Sequence, residues 1–191
     1  DYVFDGTGTR PYTPEDAVAP LGVYGTSKEA GEQAVRDALS DHLIMRTAWV
    51  YATFGKNFVN TMLRVGAERD ELKAVADQCG TPTSAEDIAA AIWATVKARH
   101  GGTNVTGTHH YTASGDTTWH GLAEAIFERA ERSWGRRPIV HAITTAEYPT
   151  PAARPAYSVL DASSLERACP VLRRPWREAV EATLDRILGD G

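Results

Sequence analysis

Leu43-Ile44-Met45-Arg46-Thr47-Ala48-Trp49-Val50-Tyr51 is the stretch on which the fold turns. It is largely apolar and lacks the alternation of a half-exposed strand, as expected of a strand covered on both faces. Strands of that kind lie in parallel sheets, which need helical crossovers. Both flanks supply helices. Upstream, Pro20 precedes a helical segment over 23–39 that Ser40-Asp41 ends. Downstream, the loop 52–56 leads to a helix over 57–69, with Phe58, Met62 and Val65 at helical spacing.

The alternation continues to the end of the chain. A short strand is expected over 72–75. Thr83 or Ser84 is the N-cap of a helix from 85 to about 99, with Ile88, Ile92 and Val96 as its buried stripe and Glu86 and Asp87 in its first turn. Gly101-Gly102 stops it. Then come a strand over 108–113, a helix over 117–133 that buries Leu122 and Ile126, and a strand over 139–143. A proline-rich connection over 149–155, an extended piece over 157–160 and a last helix over 176–188 complete the pattern. Strands alternating with helices of this length imply βα units and a mostly parallel α/β sheet, and the tail from about residue 108 reads as a smaller α/β lobe.

The composition sets outer bounds. The 191 residues are 42% apolar and 24% charged, which suits an ordinary globular protein of one domain or a domain with a small lobe. A formal charge of −5 argues against nucleic acid or an anionic membrane as the main partner. No apolar run approaches the roughly 18 residues of a membrane span, and no signal peptide is expected before the fold. Cys79 and Cys169 are too few for a disulfide scaffold, so a cytoplasmic location is expected. The opening Asp1-Tyr2-Val3-Phe4 reads as the last turn of a buried strand. A chain that starts in mid-pattern predicts a parent protein beginning about a hundred residues earlier, half a doubly wound domain.

The sharpest chemical signal is Tyr24-Gly25-Thr26-Ser27-Lys28 at the start of the first helix. Residues four apart share a helical face, so the ammonium sits near the phenol or shares a ligand with it. A free tyrosine ionises near pH 10, and a cation within roughly 4–6 Å favours phenolate and brings it toward the working range. That is what proton transfer to a carbonyl oxygen requires while hydride arrives at carbon.

Around this pair stand Asp1-Tyr2-Val3-Phe4-Asp5-Gly6, Pro11-Tyr12, Gly31-Glu32, Arg46-Thr47-Ala48-Trp49-Val50-Tyr51 and Gly55-Lys56-Asn57-Phe58-Val59. Asp77-Gln78-Cys79-Gly80-Thr81-Pro82-Thr83 and Arg154-Pro155-Ala156-Tyr157-Ser158-Val159-Leu160-Asp161 follow. The series resembles the extended short-chain dehydrogenase/reductases, and within them the dTDP-4-dehydrorhamnose reductase family, over essentially the whole chain. The resemblance implies the C-terminal part of a doubly wound, Rossmann-like parallel sheet plus a smaller α/β substrate lobe. Residues 1–107 would be the C-terminal half of the dinucleotide-binding domain and 108–191 mainly the substrate lobe, with interleaving left open. It implies NAD(P)H-dependent reduction of the 4-keto group of dTDP-4-dehydro-L-rhamnose to dTDP-L-rhamnose, by a homodimer, with NADH and NADPH both open.

Residue by residue, the resemblance makes Tyr24 the proton donor to the 4-keto oxygen and Lys28 the holder of the nicotinamide ribose, both beside the cofactor. It makes Asp1 and Tyr2 the strand end that touches the nucleotide-sugar, and Trp49 the aromatic beside the deoxysugar. The family's Thr or Ser immediately before the position of Asp1 and its glycine-rich phosphate loop have no counterpart in this sequence. Gly6-Thr7-Gly8 is no substitute, because Thr9-Arg10-Pro11 follows it instead of a helix.

Other signals read as structural. His109-His110 and His120 lack metal-ligand spacing, and adjacent strand residues point to opposite faces, so no catalytic metal is expected. Glu86 and Asp87 compensate a helix dipole, although some relatives hold a divalent ion such as Mg with acidic residues at a dimer contact. Arg132, Arg136, Arg137, Arg173, Arg174 and Arg177 read as solvated helix ends. Cys79 lacks a neighbouring base. The run 149–155 is either a loop closing over the nucleotide or a stiff surface connection. Two alternatives stay open: a nucleotide-sugar epimerase or dehydratase of the same superfamily, and a non-catalytic regulatory subunit like that of methionine adenosyltransferase.

Overall fold

The computed structural model describes residues 1–189. A long loop leads into α1 (Val23–Ala38), followed by β1 (Leu43–Arg46), β2 (Val50–Tyr51), α2 (Phe58–Glu68) and β3 (Glu71–Val75). Next come β4 (Cys79–Gly80), β5 (Thr83–Ser84), α3 (Ala85–His100), β6 (Gly107–His110) and β7 (Thr117–Thr118). α4 (Trp119–Trp134), β8 (Ile139–Ile143), a 3-10 turn (Thr145–Glu147), α5 (Ser163–Ala168) and α6 (Trp176–Leu188) end the chain. Three strand pairs are parallel, β1 with β6, β2 with β5 and β3 with β8, and β4 pairs antiparallel with β7. The pairings cross the middle of the chain both ways, since β6 joins β1 while β3 joins β8.

Side-chain caps set the helix starts. Asn57 accepts the Asn60 N–H, Ser84 the Glu86 N–H and Thr118 the Gly121 N–H, each satisfying a donor the helix leaves free. Gly135 ends α4 in the left-handed region at φ 68°, which suits glycine. The main core packs α2, α4 and α6 on β3 and β8 through Val59, Leu63, Ile126, Phe127, Val180 and Leu184. A second cluster of Val3, Phe4, Tyr12, Ala48 and Leu160 lies under the loop before α1.

Several expectations are corrected. Asp1–Phe4 forms a turn, with the Phe4 N–H donating to the Asp1 carbonyl at 3.1 Å, in place of a strand end. The stretch 43–51 is two strands, broken where Trp49 enters the left-handed region at φ 44°. On α3 the stripe Ile88, Ile92, Val96 is not the buried one, for Ile92 and Val96 are 48% and 47% exposed. The helix instead seats the small residues Ala91 and Thr95 near Val105, Tyr111 and Leu165, and the Thr95 hydroxyl donates to the Ala91 carbonyl at 2.8 Å. α5 had no counterpart in the sequence pattern. Arg173 and Arg174 are not solvated ends: Arg173 donates to the Thr112 and Ala113 carbonyls, and Arg174 pairs with Asp87 at 2.8 Å. Among the described residues no helix is long and apolar enough to cross a membrane.

His110, at the end of β6, is fully buried and its Nδ1 donates to the Tyr12 carbonyl at 3.0 Å. Burial, and then the charge of Arg46, push its pKa down from 6.5 to about 4. The unfolded chain therefore binds this proton first as pH falls, so the contribution of His110 is intact above about pH 6.5 and declines toward about pH 4. Urea unfolding across that range should show His110→Gln losing less stability than the parent. Equal slopes would contradict the buried neutral imidazole.

Candidate active site

Gly22 is extended at the N-cap of α1, which places Tyr24 in the first turn and Lys28 one turn further on. The start of α1 lies against the Asp1–Phe4 turn so closely that a Cβ on Gly25 would fall 2.1 Å from the Tyr2 carbonyl oxygen. That approach sets the ring of Tyr24 edge-on to Tyr2, with centroids 5.7 Å apart at 88°. The Lys28 Nζ stands over the Tyr24 ring, 5.3 Å from its centroid, and Tyr24 is 62% exposed. The two side chains converge and face open space.

Two concavities meet at Tyr24. A cavity of about 270 Å³ is lined by Asp1, Tyr2, Tyr24, Lys28, Arg46 and Thr47 among others. A cleft of about 440 Å³ runs from Tyr2, Phe4 and Tyr24 to the segment 151–155. That segment is pinned from below, because Gly6, at φ 79°, lies where a Cβ would come within 2.4 Å of Pro155, and the Tyr157 N–H donates to the Gly6 carbonyl at 3.2 Å. Arg154 also lines a third cavity of about 250 Å³, with Phe58, Lys73, Gln78, Trp119 and Tyr148. Neither Arg154 nor Lys73 has an ion-pair partner among the described residues.

α1 is tied to β1 by a buried ion pair. Arg46 donates from Nε to Glu32 Oε1 at 2.9 Å and from Nη2 to Oε2 at 2.7 Å, with side chains only 6% and 11% exposed. Burial pushes the Glu32 carboxyl up, but the hydrogen bonds and charge of Arg46 outweigh it and hold the group below its ordinary range. Arg36 closes the network on Glu32 and Glu29. Glu32 extends the four-residue spacing of Tyr24 and Lys28, and Arg46 is the one charge in an apolar strand. Those signals would have pointed to the pair.

Of the five expected site residues, Asp1, Tyr2, Tyr24 and Lys28 line one cavity. Trp49 does not line it, nor the neighbouring cleft. Its indole lies flat on that of Trp119, 3.6 Å away at 7°, with Gly80 under the ring. Trp119 and Arg154 were missed as site residues, since only the pairing of β4 with β7 and the seat of Pro155 on Gly6 bring them here. Buried polar atoms without partners, Asp1 Oδ2 and Thr47 Oγ1, belong to residues of the Tyr24 cavity. With Lys28 they suit a ribose and a polar ring such as the nicotinamide end of a dinucleotide. Gly6-Thr7-Gly8 is not a phosphate cradle, because the Gly8 N–H is taken by the Tyr12 hydroxyl at 2.8 Å. Among the described residues no group of three or more His, Cys, Asp or Glu is placed to hold a metal ion, and Glu86 and Asp87 pair with Arg186 and Arg174.

The RmlD substrate binding domain family matches residues 1–188, and the chain belongs to this family. It is 42% identical over 193 residues to the dTDP-4-dehydrorhamnose reductase of Sinorhizobium fredii, covering 100% of this chain and 65% of that one. The crystal structure of a dTDP-4-dehydrorhamnose reductase from Clostridium acetobutylicum superposes with a TM-score of 0.88 at 39% identity, over 97% of this chain and 63% of the other. That of the Bacillus anthracis enzyme, in complex with NADP, gives 0.83 at 34% identity over 97% and 62%. The chain thus spans under two thirds of the length of these relatives.

Proposed function

We propose that this member of the RmlD family reduces the 4-keto group of dTDP-4-dehydro-L-rhamnose, giving dTDP-L-rhamnose with NADPH as reductant. The observation that carries the reading is the convergence of Tyr24 and Lys28 at the mouth of a cleft that Arg154 connects to an aromatic, cationic cavity. A nucleotide-sugar fits that layout. The base lies against Trp119 and Phe58, the diphosphate near Arg154 and Lys73, and the sugar in front of Tyr24.

The Tyr24 hydroxyl donates a hydrogen bond to the ketone oxygen and passes its proton there as C4 becomes tetrahedral. The Lys28 ammonium stabilises the phenolate left behind and holds the ribose hydroxyls. NADPH, when bound, supplies the hydride. Tyr2 walls the cleft beside the sugar, and Asp1 lines the adjoining cavity with Lys28. NADPH is favoured over NADH by the NADP in the Bacillus anthracis relative. We place the protein in the cytoplasm, where nucleotide-sugars are made, as a homodimer. The exposed apolar side chains Ile92, Trp93 and Val96 of α3 suit such a contact.

The experiment follows absorbance at 340 nm with purified protein, NADPH and dTDP-4-dehydro-L-rhamnose. Loss of NADPH that depends on the sugar, in equal amount to dTDP-L-rhamnose formed, is expected. A rearranged sugar with unchanged cofactor would overturn the reductase in favour of an epimerase, and no turnover by protein that binds both NADPH and the nucleotide-sugar would overturn both.

A further inference from the structure

Tyr24, Lys28 and Glu32 follow one another at four-residue spacing on α1, and all three line the cavity of about 270 Å³. Lys28 stands between them, with a phenol one turn before it and a carboxylate one turn after. Opposite charges four apart on a helix attract, so the ammonium has a ready partner in Glu32. It does not take that partner. Its Nζ lies over the Tyr24 ring, 5.3 Å from the centroid, and among the described residues Lys28 has no ion-pair partner. Glu32 is already engaged, for Arg46 donates from Nε to Oε1 at 2.9 Å and from Nη2 to Oε2 at 2.7 Å, and Arg36 Nη1 reaches Oε2 at 3.2 Å. The other carboxylates nearby are also held. Glu29 pairs with Arg36, and Asp1 accepts the Tyr2 N–H at 3.0 Å through Oδ1.

We infer that Arg46 is a positioning residue for Lys28: by binding both oxygens of Glu32 it keeps the ammonium off that carboxylate and over Tyr24. Arg46 acts on Lys28 only through Glu32, so removing Glu32 together with Arg46 cancels the effect. The consequence for catalysis rests on the reductase reading above, in which Lys28 must be free to stabilise the phenolate and meet the ribose.

The test reads Lys28 directly by nuclear magnetic resonance. The chain has four lysines, so carbon-13 at lysine Cε gives four methylene signals, and Lys28→Arg identifies the one sought. The Tyr24 ring should shift it upfield, as Trp93 should shift that of Lys97, whose Nζ also lies 5.3 Å from a ring centroid and serves as the reference. In Arg46→Met the Lys28 ring shift should be largely lost as the ammonium moves to Glu32, while Lys97 stays in place. Arg46→Lys keeps a charge for Glu32, and with it the fold, but one ammonium does not grip two oxygens as a guanidinium does, so part of the same loss is expected. Arg46→Met/Glu32→Leu, which replaces the pair by apolar side chains, should restore the parental shift. Keto-sugar turnover should fall about tenfold in Arg46→Met and recover in the double variant. A residue that only tied α1 to β1 would give no such recovery, because the double variant lacks the tie as well. A parental Lys28 signal without the ring shift, one unmoved in Arg46→Lys, or one not restored in the double variant overturns the inference. The expected signals in protein that binds both ligands and leaves the sugar unreduced would keep the placement of Lys28 and remove the reductase reading.

Discussion

Tyr24→Phe is expected to fold as the parent does and to lower kcat for keto-sugar reduction by about 10²–10⁴-fold, the usual cost of removing a positioned general acid. The side chain is 62% exposed and meets Tyr2 in a T-shaped ring contact, so losing one oxygen leaves the packing intact. KM and the affinity for dTDP should change little, because the nucleotide cavity does not include Tyr24. Steady-state kinetics with NADPH, beside a thermal melt, checks all three. A variant that turns over near the parental rate would remove Tyr24 from the chemistry.

Glu32→Ala is expected to have the largest effect on stability. Without its carboxylate the Arg46 guanidinium, 6% exposed, keeps only the more distant Glu29 at 3.6 Å. Breaking a buried pair from one side costs about 3–5 kcal/mol, and Glu29 places the loss near the lower end. In a chain of this length that lowers the melting temperature by about 6–12 °C. The exposed pair of Arg132 and Glu181 is the control, because screened surface bridges are worth about 0–1 kcal/mol. The sign with pH follows from the depressed Glu32 carboxyl. Its contribution is present above the ordinary glutamate range and is lost as pH falls through the lower folded value. Glu32→Ala should therefore lose less stability than the parent on acidification. A loss no larger than in Glu181→Ala would contradict the buried pair.

What could be read in the sequence was local. Tyr24 and Lys28 are four residues apart on one helix, so their convergence needed no tertiary information. The last helix and β8 fall where the residue pattern put them, and the helix buries Ala179, Val180, Thr183 and Leu184 at helical spacing. Long-range contacts decided the rest. The strand through Trp49 breaks because Trp119, seventy residues away, and Gly80 hold the indole in a conformation that local preference opposes. On α3 the larger apolar residues gave the stronger signal, yet the helix packs closest through Ala91 and Thr95 and leaves Ile92 and Val96 exposed. Arg154 reaches the cleft only because Pro155 rests on Gly6. Such placements depend on pairings between distant segments that no window of sequence contains.

The most direct measurement uses NADPH carrying deuterium at C4 of the nicotinamide, with dTDP-4-dehydro-L-rhamnose as acceptor. Mass and proton spectra of the product should place one deuterium at sugar C4 for each cofactor oxidised, and Tyr24→Phe should slow its appearance. A product without label at that carbon, or label transfer at the parental rate without the tyrosine hydroxyl, would contradict proton donation by Tyr24 to a ketone under reduction.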